Sequence, residues 1–194
     1  MGHWPGGVDQ HRSAIYQLEV TTACAPATLA PGEEDWEVRV LKAWLARALP
    51  RYSPDPATPQ LVVGAQPGTR FLVVYLFIRS RALPAVLKIE DVALVDGQGN
   101  RYAPVGSTIT GLDYVFGELT GEIVMMSLDP PSLSRTFSVT GPGFSTEVEF
   151  PAVRESDTSP GLILVWQVPE EATGLQVVAP NALPADVDPV LEGE

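Results

Sequence analysis

With 194 residues, 45% of them hydrophobic, the chain is long and apolar enough for one compact domain with appendages, and global disorder does not fit. Its 24 acidic against 12 basic residues give a formal net charge of −12. A surface of that sign repels polyphosphate and anionic headgroups, so neither nucleic acid nor a lipid surface is an expected partner.

Nineteen prolines and 17 glycines without a repeat period favour many short strands joined by turns over a helical bundle. The single cysteine, Cys24, excludes an intrachain disulfide. Thr22-Ala23-Cys24 has the outline of a lipoprotein cleavage site, but the upstream IYQLEV carries Gln17 and Glu19 where an apolar run is required.

Taken in order, residues 1–33 read as an irregular lead and linker with one possible short strand, YQLEV (16–20). WEVRVLKAWLARAL (36–49) supports two readings. Trp36, Val38, Val40 and Trp44 fit a strand face, whereas Leu41, Trp44, Leu45, Ala48 and Leu49 fit a helix face. A strand through about Ala43 is favoured. PRYSPDPATPQ (50–60), with four prolines, is an irregular loop.

FLVVYLFI (71–78) is too short for a membrane span and ends at Arg79; as a nearly continuous apolar run it belongs in the middle of a sheet. LKIEDVALVD and RYAP flank VDGQGN (95–100), whose glycines suit a tight turn. Beyond Gly106, GLDYVF, GEIVMMSL, SRTFSVTG, STEVEFPAV and GLILVWQV are further short strands, with TGPGFS (140–145) as a hairpin tip. Residues 181–194 are expected to form an acidic, flexible tail. The pattern predicts an all-β protein of about 7–9 strands with little helix, an antiparallel β-sandwich spanning 34–180.

Gly68, Phe71, Leu94, Asp96, Gly99 and Tyr102, followed by PGLILVWQVPEEATGLQVV (160–178), carry a resemblance. Their order is similar to a bacterial immunoglobulin-like domain family of unknown function, found in small lipoproteins and in secreted or membrane-anchored proteins. The resemblance implies an Ig-like sandwich outside the cytoplasm and brings no catalytic residues. The stretch 103–159 exceeds what that pattern needs, and is either extra strands or a distinct loop.

Candidate sites are few. Asp96, Gln98 and Asn100 could hold calcium only with carboxylates from a neighbouring loop, because two of the three supply neutral amide oxygens and the twelfth position is Ser107. His3 and His11 lie in the ragged lead, without the rigid support that an imidazole base requires. No cofactor motif is present. Glu147 and Glu149 share a strand face, a carboxylate pair that suits either a solvated surface or a glycosidase. Tyr52, Tyr114 and Phe144 are the aromatics expected at the surface. The function these features favour is a non-catalytic binding module of the cell envelope or exterior, with a protein or glycan partner, acting as a monomer or weak homodimer. The alternatives are a carboxylate-based glycan-active enzyme, or an assembly protein pairing through a sheet edge, with FLVVYLFI or STEVEF as the donor.

Overall fold

The computed structural model describes residues 15–16, 36–53, 61–80, 85–108, 113–127, 133–141, 144–150 and 162–191. His3, His11, Cys24 and most of the lead therefore lie outside the described residues.

The described residues are almost entirely β. The first strands are β1 (Ile15–Tyr16), β2 (Trp36–Ala46), β3 (Ala48–Arg51), β4 (Leu61–Gly64), β5 (Thr69–Ser80) and β6 (Ala85–Lys88). One 3-10 turn at Ile89–Asp91 leads to β7 (Ala93–Val95) and β8 (Arg101–Tyr102), then β9 (Gly106–Thr108), β10 (Tyr114–Phe116) and β11 (Thr120–Ser127). The remainder are β12 (Leu133–Gly141), β13 (Phe144–Phe150), β14 (Leu162–Pro169), β15 (Gln176–Val178), β16 (Ala185–Asp186) and β17 (Val190–Leu191). All-β with little helix is thus what the strands form, but in more and shorter pieces than 7–9.

They build three sheets. The largest runs β1-β4-β3-β10-β9-β14-β5-β2-β17, and two four-stranded sheets run β13-β12-β11-β6 and β16-β15-β7-β8. Pairing is antiparallel except at three short contacts, β1 with β4, β3 with β10 and β2 with β17.

β5 sits between β14 and β2, as its composition predicts, and is buried on both faces. Leu72, Val74, Leu76 and Ile78 join Leu164 and Trp166 of β14 in a core shared with Leu87, Leu94, Ile123 and Val177 of the two smaller sheets. The alternate residues Phe71 and Val73 face the other way, onto Leu49, Val63, Tyr114, Phe116 and Val165. β3, β4 and β10 lie several strands from β5 in sheet order, so the large sheet curls back over its own second face. Having both faces covered explains why β5 reads as a continuous apolar run instead of alternating.

A β-bulge between Val40 and Lys42 resolves the ambiguity at 36–49. Before it, Trp36 and Val38 face the larger core; after it, Ala43 does, while Ala46 and Trp44 turn to the second core. The extra residue, Leu41, is left 49% exposed. One inserted residue reverses the period-2 pattern and mimics a helical spacing. The strand runs through Ala46, beyond the expected end at Ala43, and β3 follows at once.

Two further expectations change. The 103–159 stretch supplies extra strands: β9 and β10 enter the large sheet, and β11, β12 and β13 form a meander on β6. Residues 181–191, expected as a tail, lie along β2. The Trp36 amide donates to the Asn181 carbonyl, Val190 pairs with Trp44, and Ala182 and Val187 are buried in the larger core. The tail reading rested on acidic residues and prolines, which here alternate with the few apolar positions that dock.

Trp166 is fully buried, and its indole N–H finds no acceptor among the described residues. Truncating such a side chain costs about 3–5 kcal/mol, whereas an exposed bulge residue contributes within roughly 0.5 kcal/mol. Trp166→Ala should therefore lower the denaturant midpoint sharply, Trp166→Phe much less because no hydrogen bond is lost, and Leu41→Ser hardly at all. Urea unfolding followed by circular dichroism reads all three.

Candidate functional site

The β7–β8 hairpin carries the first candidate. Val95 pairs with Arg101 and Leu94 with Tyr102, leaving Asp96–Asn100 as the loop. The Asp96 amide donates to the Asn100 carbonyl, the Gly99 amide donates to the Asp96 carbonyl, and Gly99 has φ +87°, which favours glycine. The turn reading of VDGQGN therefore describes this segment.

The Asp96 side chain organises it. Oδ1 accepts from the amides of Gln98 and Asn100, both at 2.9 Å. Oδ2 accepts from Asn100 Nδ2 and from the Tyr102 hydroxyl, again both at 2.9 Å. Two bonds on each oxygen fill the lone-pair capacity of a carboxylate. Burial alone would raise the Asp96 pKa, but the bonds from Asn100, Tyr102 and Gln98 together outweigh it and hold it below 3.8. Tyr102 moves the other way. Burial, then its bond to the Asp96 carboxylate and that group's charge, push its pKa up to about 12.

Beside this loop lies the β14–β15 turn. The Gly97 amide donates to the Thr173 carbonyl at 2.8 Å. A Cβ on Gly97 would stand 3.2 Å from that same oxygen, and one on Gly174 would stand 3.2 Å from the Gly97 Cα, so the two turns touch backbone to backbone. Between them is a depression of about 140 Å³, with Asp96, Gln98, Asn100 and Tyr102 on one side and Pro169, Glu171, Ala172 and Thr173 on the other. Glu171 is the neighbouring-loop carboxylate that a calcium reading needs. The carboxylate of Asp96, however, is already occupied by four donors, and among the described residues no three His, Cys, Asp or Glu side chains gather as a metal group. Sequence reasoning overlooked Tyr102, Glu171 and Thr173 as members of this depression. The Gly in each turn was the available signal, since such a close approach of two backbones calls for glycine.

The second candidate is the outer strand of the β6–β11–β12–β13 sheet. Gly141 pairs with Phe144 across the stretch read as a hairpin tip, whose residues 142 and 143 lie outside the described residues. The pair flanking such a loop exchanges both hydrogen bonds, and hydrogen-bonded pairs then recur at every second position. Phe144, Thr146, Val148 and Phe150 therefore bond to β12, and the backbone N–H and C=O groups of Ser145, Glu147 and Glu149 point away from it. Register fixes the face as well. Glu147 stands opposite Ser138, which stands opposite Glu122; Glu149 stands opposite Thr136, which stands opposite Val124. Glu122 is exposed and Ser138, Thr136 and Val124 are half-buried, whereas Ile123, Met125 and Val139 of the other face are buried. Glu147 and Glu149 thus hold alternate register positions opposite Ser138 and Thr136, two residues and about 7 Å apart along the strand.

Comparison with protein-family models, with curated proteins and with solved structures finds no match to this chain.

The aromatic candidates divide. Tyr114 is 5% exposed and packs in the second core at 6.4 Å from Phe116, so it is not a surface residue. Its flanking Asp113 and the glycines nearby suggest a loop, but the inward position on β10 decides its burial. Tyr52 is half-buried, and its amide donates to the Tyr114 carbonyl at 2.8 Å. Phe144 opens β13 opposite Gly141. FLVVYLFI, as part of β5, has partners on both sides and cannot donate an edge.

The opposed shifts of Asp96 and Tyr102 set a pH window. Asp96, lowered from 3.8, contributes stability that is present above that value and is lost as pH falls through its folded value; Tyr102 contributes below pH 10, and that share is lost as pH rises from 10 to about 12. Phenolate absorbance should contain a late component near pH 12 that Tyr102→Phe removes. Asp96→Asn, which sets amide hydrogens against two of the four donors, should cost roughly 1–3 kcal/mol in a urea titration at neutral pH.

Proposed function

We propose that this chain is an immunoglobulin-like β-sandwich acting as a non-catalytic binding module of the bacterial cell envelope or exterior, and that it binds through the edge of β13. Support for the Ig-like reading comes from the single core shared by one face of the large sheet and the two smaller sheets. It comes also from the meeting of Asp96, Gly99 and Tyr102, three residues that carry the family resemblance, in one hydrogen-bonded turn.

The observation that carries the binding reading is where the sheets end. Among the described residues the β7-β8 sheet ends in two-residue strands, β8 and β16, and the large sheet ends in β1 and β17. Very short edge strands are a common way to blunt a sheet against unwanted pairing. β13, with seven residues, is outermost in its sheet, and among the described residues no strand lies beyond it. A long row of outward N–H and C=O groups is a template for an added strand.

A glycosidase needs a carboxylic acid whose pKa is raised, facing a second carboxylate across a water-excluding cleft. The Asp96 carboxyl is held low instead, and Glu147 and Glu149 sit two positions apart on the outermost described strand of their sheet. That geometry supports binding over catalysis.

Hydrogen exchange in the isolated chain tests the edge. The amides of Ser145, Glu147 and Glu149 should exchange at least roughly a hundredfold faster than those of Thr146, Val148 and Phe150. Uniform protection along β13 would mean that the edge is already covered. Turnover of a chromogenic glycoside that Asp96→Asn abolishes would overturn the non-catalytic reading.

A further inference from the structure

We infer that the second face of β2 and β5, beyond the part that the curled sheet covers, binds an extended peptide with carboxylates at alternate positions, held by Arg39 and Lys42. This surface is separate from the edge of β13 and does not depend on it.

The curl of the large sheet covers β5 only in part. From Phe71 to Val74 the strand is buried on both faces. Beyond that, Leu76, Ile78 and Ser80 are buried while Tyr75, Phe77 and Arg79 are half-buried. On β2 the residues opposite these three are Lys42, Arg39 and Glu37. By simple alternation from Arg39, Lys42 would point into the larger core. The bulge between Val40 and Lys42 turns it instead to the face of Arg39, two register steps and roughly 7 Å away.

Each cation is fixed against an aromatic ring. The Arg39 guanidinium lies 4.4 Å from the centroid of Phe77, and the Lys42 ammonium 5.4 Å from that of Trp44. Such stacking attracts the cation and orders a long side chain before any ligand arrives. Glu37 adds a second hold on Arg39, with its Oε1 3.2 Å from Arg39 Nε. Its Oε2 accepts from Arg79 Nε at 3.0 Å and from Arg79 Nη2 at 2.6 Å. One carboxylate shared by two guanidinium groups cannot neutralise both. Among the described residues Arg39 makes no other ion pair and Lys42 makes none. Both stay accessible, Arg39 with 55% of its side chain exposed.

The donors left to Arg39 are on its two Nη atoms, the fork that matches a carboxylate in a bidentate pair. Lys42 adds a point charge at the distance that separates alternate residues of an extended chain, about 7 Å. A ligand with two carboxylates so spaced meets both cations at once. The formal charge of −12 decides between kinds of anion. A polyphosphate, a sulfated glycan or an anionic membrane carries dense charge past this small patch, and the rest of the surface repels it. A short acidic segment confines its charge to the patch.

The probe is a capped synthetic peptide with Glu-Thr-Glu at its centre and uncharged flanks, titrated into the full chain by calorimetry and by backbone amide shifts. Shifts should concentrate at residues 37–44 and 75–79, and affinity should fall as salt rises. Arg39→Gln and Lys42→Gln should each weaken binding by roughly threefold or more, with the melting temperature little changed because both side chains are exposed. Arg39→Lys keeps the charge but loses the fork, so it should weaken binding nearly as much as Arg39→Gln. A peptide with the same two glutamates adjacent should bind about threefold more weakly. Equal affinity for that isomer, or full binding by Arg39→Lys, would reduce the effect to diffuse charge and overturn the inference. A sulfated oligosaccharide binding more tightly at the same residues would make the peptide assignment wrong. Shifts confined to other surfaces, or no binding, would remove the site altogether.

Discussion

Everything in this fold is arranged around one strand that cannot be left uncovered. β5 presents Leu72, Val74, Leu76 and Ile78 to one side and Phe71 and Val73 to the other, all essentially inaccessible to water. A strand apolar on both faces needs a layer on each. On one side the two smaller sheets supply it. On the other, among the described residues, the large sheet supplies the cover itself by curling β3, β4 and β10 over its own surface. The bulge in β2 belongs to the same solution. By reversing the facing of residues after Leu41, it lets a single strand contribute Trp36 to one core and Ala46 to the other.

The Asp96 turn shows how a conspicuous polar motif can be structural. A buried carboxylate without donors is unfavourable, and here four donors from its own hairpin satisfy it. Those same bonds use up the oxygens that a cation would need. Asp96 and Tyr102 hold a tight turn against the Thr173–Gly174 backbone and tie the β7–β8 hairpin to the end of β14.

Much of this was legible in the sequence, for identifiable reasons. The apolar run at 71–78, the glycines of VDGQGN and the Thr-Gly-Pro-Gly hairpin each declare a local structure, because each depends on neighbours along the chain. What was not legible depends on neighbours across it. The bulge inserted Leu41 and gave 41–49 a false helical period. Tyr114 sits among turn residues and still packs inward. Ala182 and Val187 are single apolar residues in an acidic stretch, too sparse to announce that the segment docks. For the candidate surface, the alternation of Glu147 and Glu149 was visible from the start. Only the sheet order reveals that, among the described residues, their strand is outermost.

The covering of β2 by residues 181–191 has a consequence for how the molecule reaches this structure. Trp36 meets Asn181 and Ala182, and Trp44 meets Val190, so early and late parts of the chain must find each other before the large sheet is closed on that side. Contacts of such long sequence separation form slowly, because the loop-closure entropy comes before the reward. Until they form, the outer side of an eleven-residue strand lies open. That open edge therefore belongs to folding, and in the folded state Ala182, Val190 and Leu191 pair along it.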